Sequence, residues 1–401
     1  MSTLLYSRVN CGLRSVVTIL EVINESFDGI LGSVPNYNTI ENWVKKCGLK
    51  VYTASGDFLA DKEYAQITDE SMMIGSEKLL LTLGVPAEHQ GRALQYDDVQ
   101  VLDIAIAGSW SGEKIGKQLR SAAEKTGHSP QYVISDNASI MRKGVCCAGM
   151  KHHHDISHSL GMFLERAYKE EPDFKDYLNS MTNAKFKHSM TKIAYLLPPT
   201  QRTVARFLNL SEWVAWSRKM SKIFYTLNSE EREVFSFIPA NASLIDELAE
   251  VMSCIEGIEH RFKHQGFSQT NVLHCLRLVE KILLSGNSRM IKIGNSIKQF
   301  LHDEAELLES DQDVHNNSSD IIESIFGTIK KRKSPNKLYG ITPFILFAPI
   351  HIHLIQTERA KDFDFKQALE DIKLSQIQEW AGQNLSTNLV SKRIQRLNMA
   401  G

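Results

Sequence analysis

The spacing of apolar residues along the chain changes twice. Between residues 13 and 48 it is helical. Val16, Leu20, Ile23 and Phe27 make one stripe, and Ile40, Trp43, Val44 and Cys47 make a second. Gly29, Gly32 and Pro35 break the chain between them, with Asn38 suited to cap the second helix and Gly48 to stop it. Glu41, Asn42, Lys45 and Lys46 fall on that helix's outer face. Residues 1–50 therefore read as a helical, helix-turn-helix-like unit, with Lys45 and Lys46 as candidate DNA contacts and a plain packing or dimerisation module as the competing reading.

From residue 64 the pattern becomes that of strands. AQITDESMMIG, EKLLLTLGV and DVQVLDIAIAG are short aliphatic runs divided by Gly, Pro or acidic segments. Gly112 to Thr126 has helical spacing with Gly127 as its stop, QYVIS is a fourth strand, and the histidine run at 152–154 fits a fifth. Three strands, a helix and a further strand predict a mixed sheet. From about 160 to 315 only helical periodicity remains, interrupted by Pro, Gly, Asn or Ser. Asp320 to Ile329 follows as a helix with Ile321, Ile322, Ile325, Phe326 and Ile329 inward, and residues 341–401 read as helical. The domain reading is 1–50 helical unit, 51–159 first part of the sheet core, 160–315 all-α insertion, and 316–401 last part of the core with the carboxyl-terminal helices.

Three acids stand out against this frame. Asp69 sits in the first strand, Asp136 directly after the fourth, and Glu323 near the start of the 320–329 helix. Carboxyl ends of strands in open α/β sheets are where ligands gather. Each acid also has an ordinary reading: Asp136 as a helix cap, Glu323 as a partner of the helix dipole, and Asp69 beside an equally placed Glu70. The basic run 330–337 follows, and its Lys330, Lys331, Arg332 and Lys333 are candidate phosphate contacts, with a localisation signal or solvated tail as the alternative.

Composition narrows the picture. A hydrophobic share of 42% and a charged share of 23% are those of a globular protein, and no apolar run reaches the length of a membrane span. The net charge of -1 gives no global attraction for nucleic acid, so any such contact must come from local clusters. Six scattered cysteines show no disulfide framework, which fits a reducing compartment. His152, His153, His154 and His158 lie near Cys146 and Cys147 but lack the second ligand pair of a structural zinc site. Lys185, Arg202, Arg206, Arg218, Trp213 and Trp216 in the helical block could together hold a DNA backbone and stack on an unpaired base, while singly they read as solvated charges and core aromatics.

The order of these elements resembles the RNase H-like core of DDE transposases. The helical insertion before the helix bearing the last acid is similar to the hAT superfamily and related cut-and-paste transposases, and Asp155-Ile156-Ser157-His158 matches their C/D-x-x-H signature. The resemblance covers about residues 64–335. It implies that Asp69, Asp136 and Glu323 are catalytic metal ligands holding two Mg²⁺ or Mn²⁺ ions, with His158 near a phosphate or flipped base and Asp155 orienting it. It further implies transposon-end and target DNA as partners, a homodimer or higher oligomer, no membrane, and a nucleoid or nuclear location according to host. Hydrolysis at the element ends would be followed by 3′-OH strand transfer. The alternatives are an RNase H-like nuclease without strand transfer and a domesticated DNA-binding regulator with an inactive core.

Overall fold

The computed structural model describes residues 1–9, 11–71, 73–75, 77–200, 207, 210–332, 340–386 and 389–399. Three helices come first: α1 (Ser2–Arg8), α2 (Leu13–Ser26) and α3 (Tyr37–Thr53). Val16 and Leu20 of α2 are buried as their stripe requires. Phe27, which the same stripe places inward, is 63% exposed, because the helix ends at Ser26 and the chain turns through positive φ at Asp28 and Gly29.

The limits of α3 also correct the sequence reading. Asn36, not Asn38, is the cap, its Oδ1 accepting from the Thr39 N–H at 3.0 Å. Gly48 does not stop the helix. It lets α3 meet residue 346 backbone to backbone, where an added Cβ would lie 2.0 Å from the Leu346 carbonyl oxygen.

The sheet follows as β1 (Tyr64–Glu70), β2 (Lys78–Pro86), β3 (Gln100–Ala107), β4 (Val133–Ser135) and β5 (His152–His154), with α4 (Gly112–Thr126) before β4 and α5 (Ser139–Ala148) before β5. The spatial order is β3-β2-β1-β4-β5. The β1–β2 and β2–β3 pairs are antiparallel and the β1–β4 pair is parallel, so the sheet is mixed, as the pattern predicted. α4 stops at Gly127, whose φ of 79° suits glycine.

The helical block consists of α6 (Ile156–Tyr168), α7 (Pro172–His188), α8 (Leu210–Ile223), α9 (Ser229–Val234), α10 (Phe237–Ala240), α11 (Ala242–Gln265), α12 (Gln269–Ile282) and α13 (Ser288–Ala305). One core from Ile156 to Leu308 serves it, with Trp213 fully buried. Arg289 of α13 grips Asp173 of α7 at 2.8 Å and Glu247 of α11 at 2.9 Å, tying three helices together. The chain then gives α14 (Asp320–Arg332), α15 (Phe347–Ile355), α16 (Thr357–Asp362), α17 (Phe365–Asp371), α18 (Leu374–Asn384) and α19 (Leu389–Asn398). It divides into two compact units, residues 1–153 with 319–401, and residues 154–318.

Within the first unit both sheet faces are covered. Leu80, Ala105 and Val133 pack under Ile115 and Leu119 of α4 and Met141 and Val145 of α5. On the other face Ala65, Ile67, Leu81 and Ile134 pack with Ile322, Ile325 and Phe326 of α14, Ile352 of α15 and Trp380 of α18. Cover on both sides explains why β2 reads KLLLTLGVP rather than alternating. α1–α3 share a third core with Phe347, Ile350 and Leu354 of α15 and Ala368 of α17. No helix among the described residues is long and apolar enough to cross a membrane.

Candidate active site

β1 and β4, which lead to Asp69 and Asp136, are parallel neighbours. Gln66 of β1 lies beside Val133 of β4, and Ile67 beside Ile134. Asp69 lies two residues beyond the last paired residue of β1, and Asp136 follows directly on β4. Adjacent strands are about 4.8 Å apart. Side chains alternate between faces along a strand, so Asp69 follows Ala65 and Ile67 onto the face covered by α14.

Alternation also separates Asp69 from its neighbour. Glu70 points the other way, and its Oε1 is held by Lys78 at 2.5 Å. Both aspartates are half-buried and each accepts a main-chain N–H: Asp69 Oδ1 from Glu70 at 2.8 Å, Asp136 Oδ1 from Ala138 at 3.1 Å. Asp136 is thus not the cap of α5, whose N-cap position is Ala138. Beside it, Ser135 Oγ and His152 Nε2 are 2.7 Å apart.

Glu323 sits in the first turn of α14, exposed, one residue beyond the buried Ile322. α14 packs against β1, so helix and aspartates share one face of the sheet. Among the described residues no three His, Cys, Asp or Glu side chains are arranged to hold a metal ion, so Glu323 is not drawn in with the two aspartates as a three-ligand cluster.

Asp155 and His158 belong to the helical unit. Asp155 is fully buried as the N-cap of α6, its Oδ1 accepting the His158 main-chain N–H at 2.7 Å. The cap satisfies one of the free N–H groups of the first turn and fixes the backbone from which the imidazole projects.

The basic candidates divide. Lys45 is paired with Glu41 at 2.5 Å, and Lys46 donates to the Leu369 carbonyl at 2.6 Å, because α3 is packed against α15 and α17. Arg332 is taken up by aromatic rings and the Tyr6 carbonyl. Lys330 and Lys331 are exposed on the last turn of α14. Lys333, like Arg202 and Arg206, lies outside the described residues.

The histidine run behaves as a strand. His152 reaches Ser135, while His153 is fully buried edge-on to Tyr132. His154 Nδ1 donates to Glu304 at 2.6 Å, and Glu304 is only 3% exposed. That carboxylate was missed from sequence, although an acid on the apolar stripe of Leu301, Ala305 and Leu308 was a visible signal.

One further buried polar group lies in the sheet unit. Tyr52 donates to Asp103 Oδ1 at 3.2 Å, and the Lys125 ammonium sits 3.8 Å from the Tyr52 ring centre. Burial raises the Asp103 carboxyl above its ordinary value. Burial of the Lys125 ammonium lowers it to about 8, partly offset by the Asp103 charge. No protein-family model matches the chain, and no curated protein matches it.

Proposed function

We propose that the chain is a DNA-cleaving polynucleotidyl transferase of the DDE type, with Asp69 and Asp136 at the centre of its site. The observation that supports this reading is that Asp69 stands near the end of β1 and Asp136 directly after its parallel neighbour β4, in a sheet whose covering helix α14 bears Glu323. Carboxylates at the ends of neighbouring strands repel each other and favour a shared hard cation, whose ligands are oxygen atoms. Two of the three acids therefore fit a divalent ion by position and chemistry. The third does not complete a ligand cluster among the described residues.

When bound, such an ion supplies charge for the developing oxyanions of a phosphodiester displacement. The protein's own contribution is positional. Main-chain N–H groups of Glu70 and Ala138 fix one oxygen of each aspartate. Lys330 and Lys331, exposed at the end of α14, would hold backbone phosphates, whereas Lys45, Lys46 and Arg332 are engaged within the protein. Joining two element ends would require at least two copies of the chain.

The test is nicking of supercoiled plasmid carrying the DNA that flanks the coding sequence, in Mg²⁺ or Mn²⁺. Asp69→Asn and Asp136→Asn should each lower cleavage at least about 100-fold, a barrier change of about 3 kcal/mol, with DNA binding by gel shift retained. Full cleavage by either variant removes that residue from the site. Pre-cleaved 3′-OH ends offered with a target plasmid decide between strand transfer and cleavage alone.

A further inference from the structure

The outer face of α11 carries an imidazole pair. Ile258 and Phe262 of this helix are buried in the core of the helical unit. His260 and His264 each follow one of them by two residues, which turns them to the opposite side, and both are exposed. Side chains four apart on a helix are neighbours, and the two ring centres lie 4.6 Å apart with their planes inclined by 35°. Arg261, between them in the chain, is taken up by Gln265 at 2.8 Å and Asn271 at 3.3 Å.

Two imidazoles bound to one ion through nitrogens about 2.1 Å away, at an angle of about 90–110°, have ring centres about 4.5–5.2 Å apart. The observed separation falls inside that interval, so both rings can reach one ion with little rearrangement. Protonation would suit the carboxyl end of the helix dipole, but two like charges this close repel, whereas neutral rings share an ion without that repulsion. Imidazole suits Zn²⁺, Ni²⁺ and Cu²⁺, while Mg²⁺ takes oxygen ligands. No third His, Cys, Asp or Glu completes a cluster among the described residues, which leaves the other coordination positions to water. We infer that His260 and His264 form an open, two-imidazole site for a first-row transition ion. The inference stands apart from the DNA-cleavage reading, lies in the helical unit and needs neither aspartate.

Calorimetry with ZnCl₂ on the full chain, stripped by chelator and then held in excess Mg²⁺, tests it. The Mg²⁺ occupies oxygen-ligand sites and should leave zinc binding at the pair intact. His260→Ala and His264→Ala should each weaken that binding at least about 10-fold, since even the outer partners of a metal ligand are worth as much. Both positions are exposed, so neither change disturbs the core. Modification by diethyl pyrocarbonate gives a second readout in the unaltered protein, followed by mass spectrometry of the peptide that holds His260 and His264. Zn²⁺ should slow it there. Zinc binding unchanged in both variants, displacement of zinc by Mg²⁺, or an unaltered modification rate would each overturn the inference.

Discussion

Replacing Asp69 or Asp136 by Asn removes a charge while leaving an oxygen to accept the Glu70 or Ala138 N–H. Two unit charges about 5 Å apart repel by about 1 kcal/mol in water and about 3 kcal/mol at an effective dielectric constant of 20. Both aspartates are half-buried, so the lower part of that interval applies. Without divalent cations, each variant should therefore be more stable than the parent by about 1 kcal/mol, a rise in Tm of about 2–4 °C for a unit of this size. With Mg²⁺ or Mn²⁺ the order should reverse. Binding at a concentration about 100 times Kd stabilises the parent by about 2.7 kcal/mol, and neither variant should gain comparably. Differential scanning fluorimetry with and without each ion measures all of this. The argument fails if the variants are less stable than the parent in chelator, or if the cation raises Tm equally in all three proteins.

Other consequences concern the scaffold. Gly48→Ala should destabilise the chain by about 3 kcal/mol in urea titration, since the added Cβ meets the Leu346 backbone and not a side chain that can turn away. Lys125 has a folded-state pKa of about 8 against an ordinary 10.5. Between those values the unfolded chain holds more protons, so stability from this group rises with pH from about 8 and its penalty is complete below that. Relative to Lys125→Met, the parent should gain Tm between pH 7.5 and pH 9.5 on the order of a few degrees. A fragment spanning 154–318 should fold alone with a cooperative melt, because its core runs without outside help from Ile156 to Leu308.

Short continuous apolar runs made β1–β4 readable, because both faces of the sheet are covered, and the 3.6-residue period made α4 and the helical block readable, because their helices bury one stripe. α3 was harder. Its true cap, Asn36, is a local contact with Thr39 two residues ahead of the equally suitable Asn38, whereas the glycine at 48 serves a close approach to Leu346, nearly 300 residues away in sequence, which no local pattern reports. The same holds for Lys46 and Arg332, whose charges suggested phosphate but whose partners are the Leu369 and Tyr6 carbonyls. Asp69 could be told from Glu70 only once the faces of β1 were known and Glu70 was found held by Lys78.

The split of the sheet unit around a contiguous helical block has a consequence for synthesis. On a ribosome, β1 to β5 emerge early, yet the face bearing Ile67, Leu81 and Ile134 is covered only by α14, α15 and α18. At about 5–20 residues per second, that apolar face waits on the order of tens of seconds for its cover. The helical block can close meanwhile, since its core lies wholly between the two halves. Nascent chains stalled before residue 320 should thus display a finished insertion beside an unfinished sheet, the state in which chaperone capture or edge-to-edge aggregation would strike first.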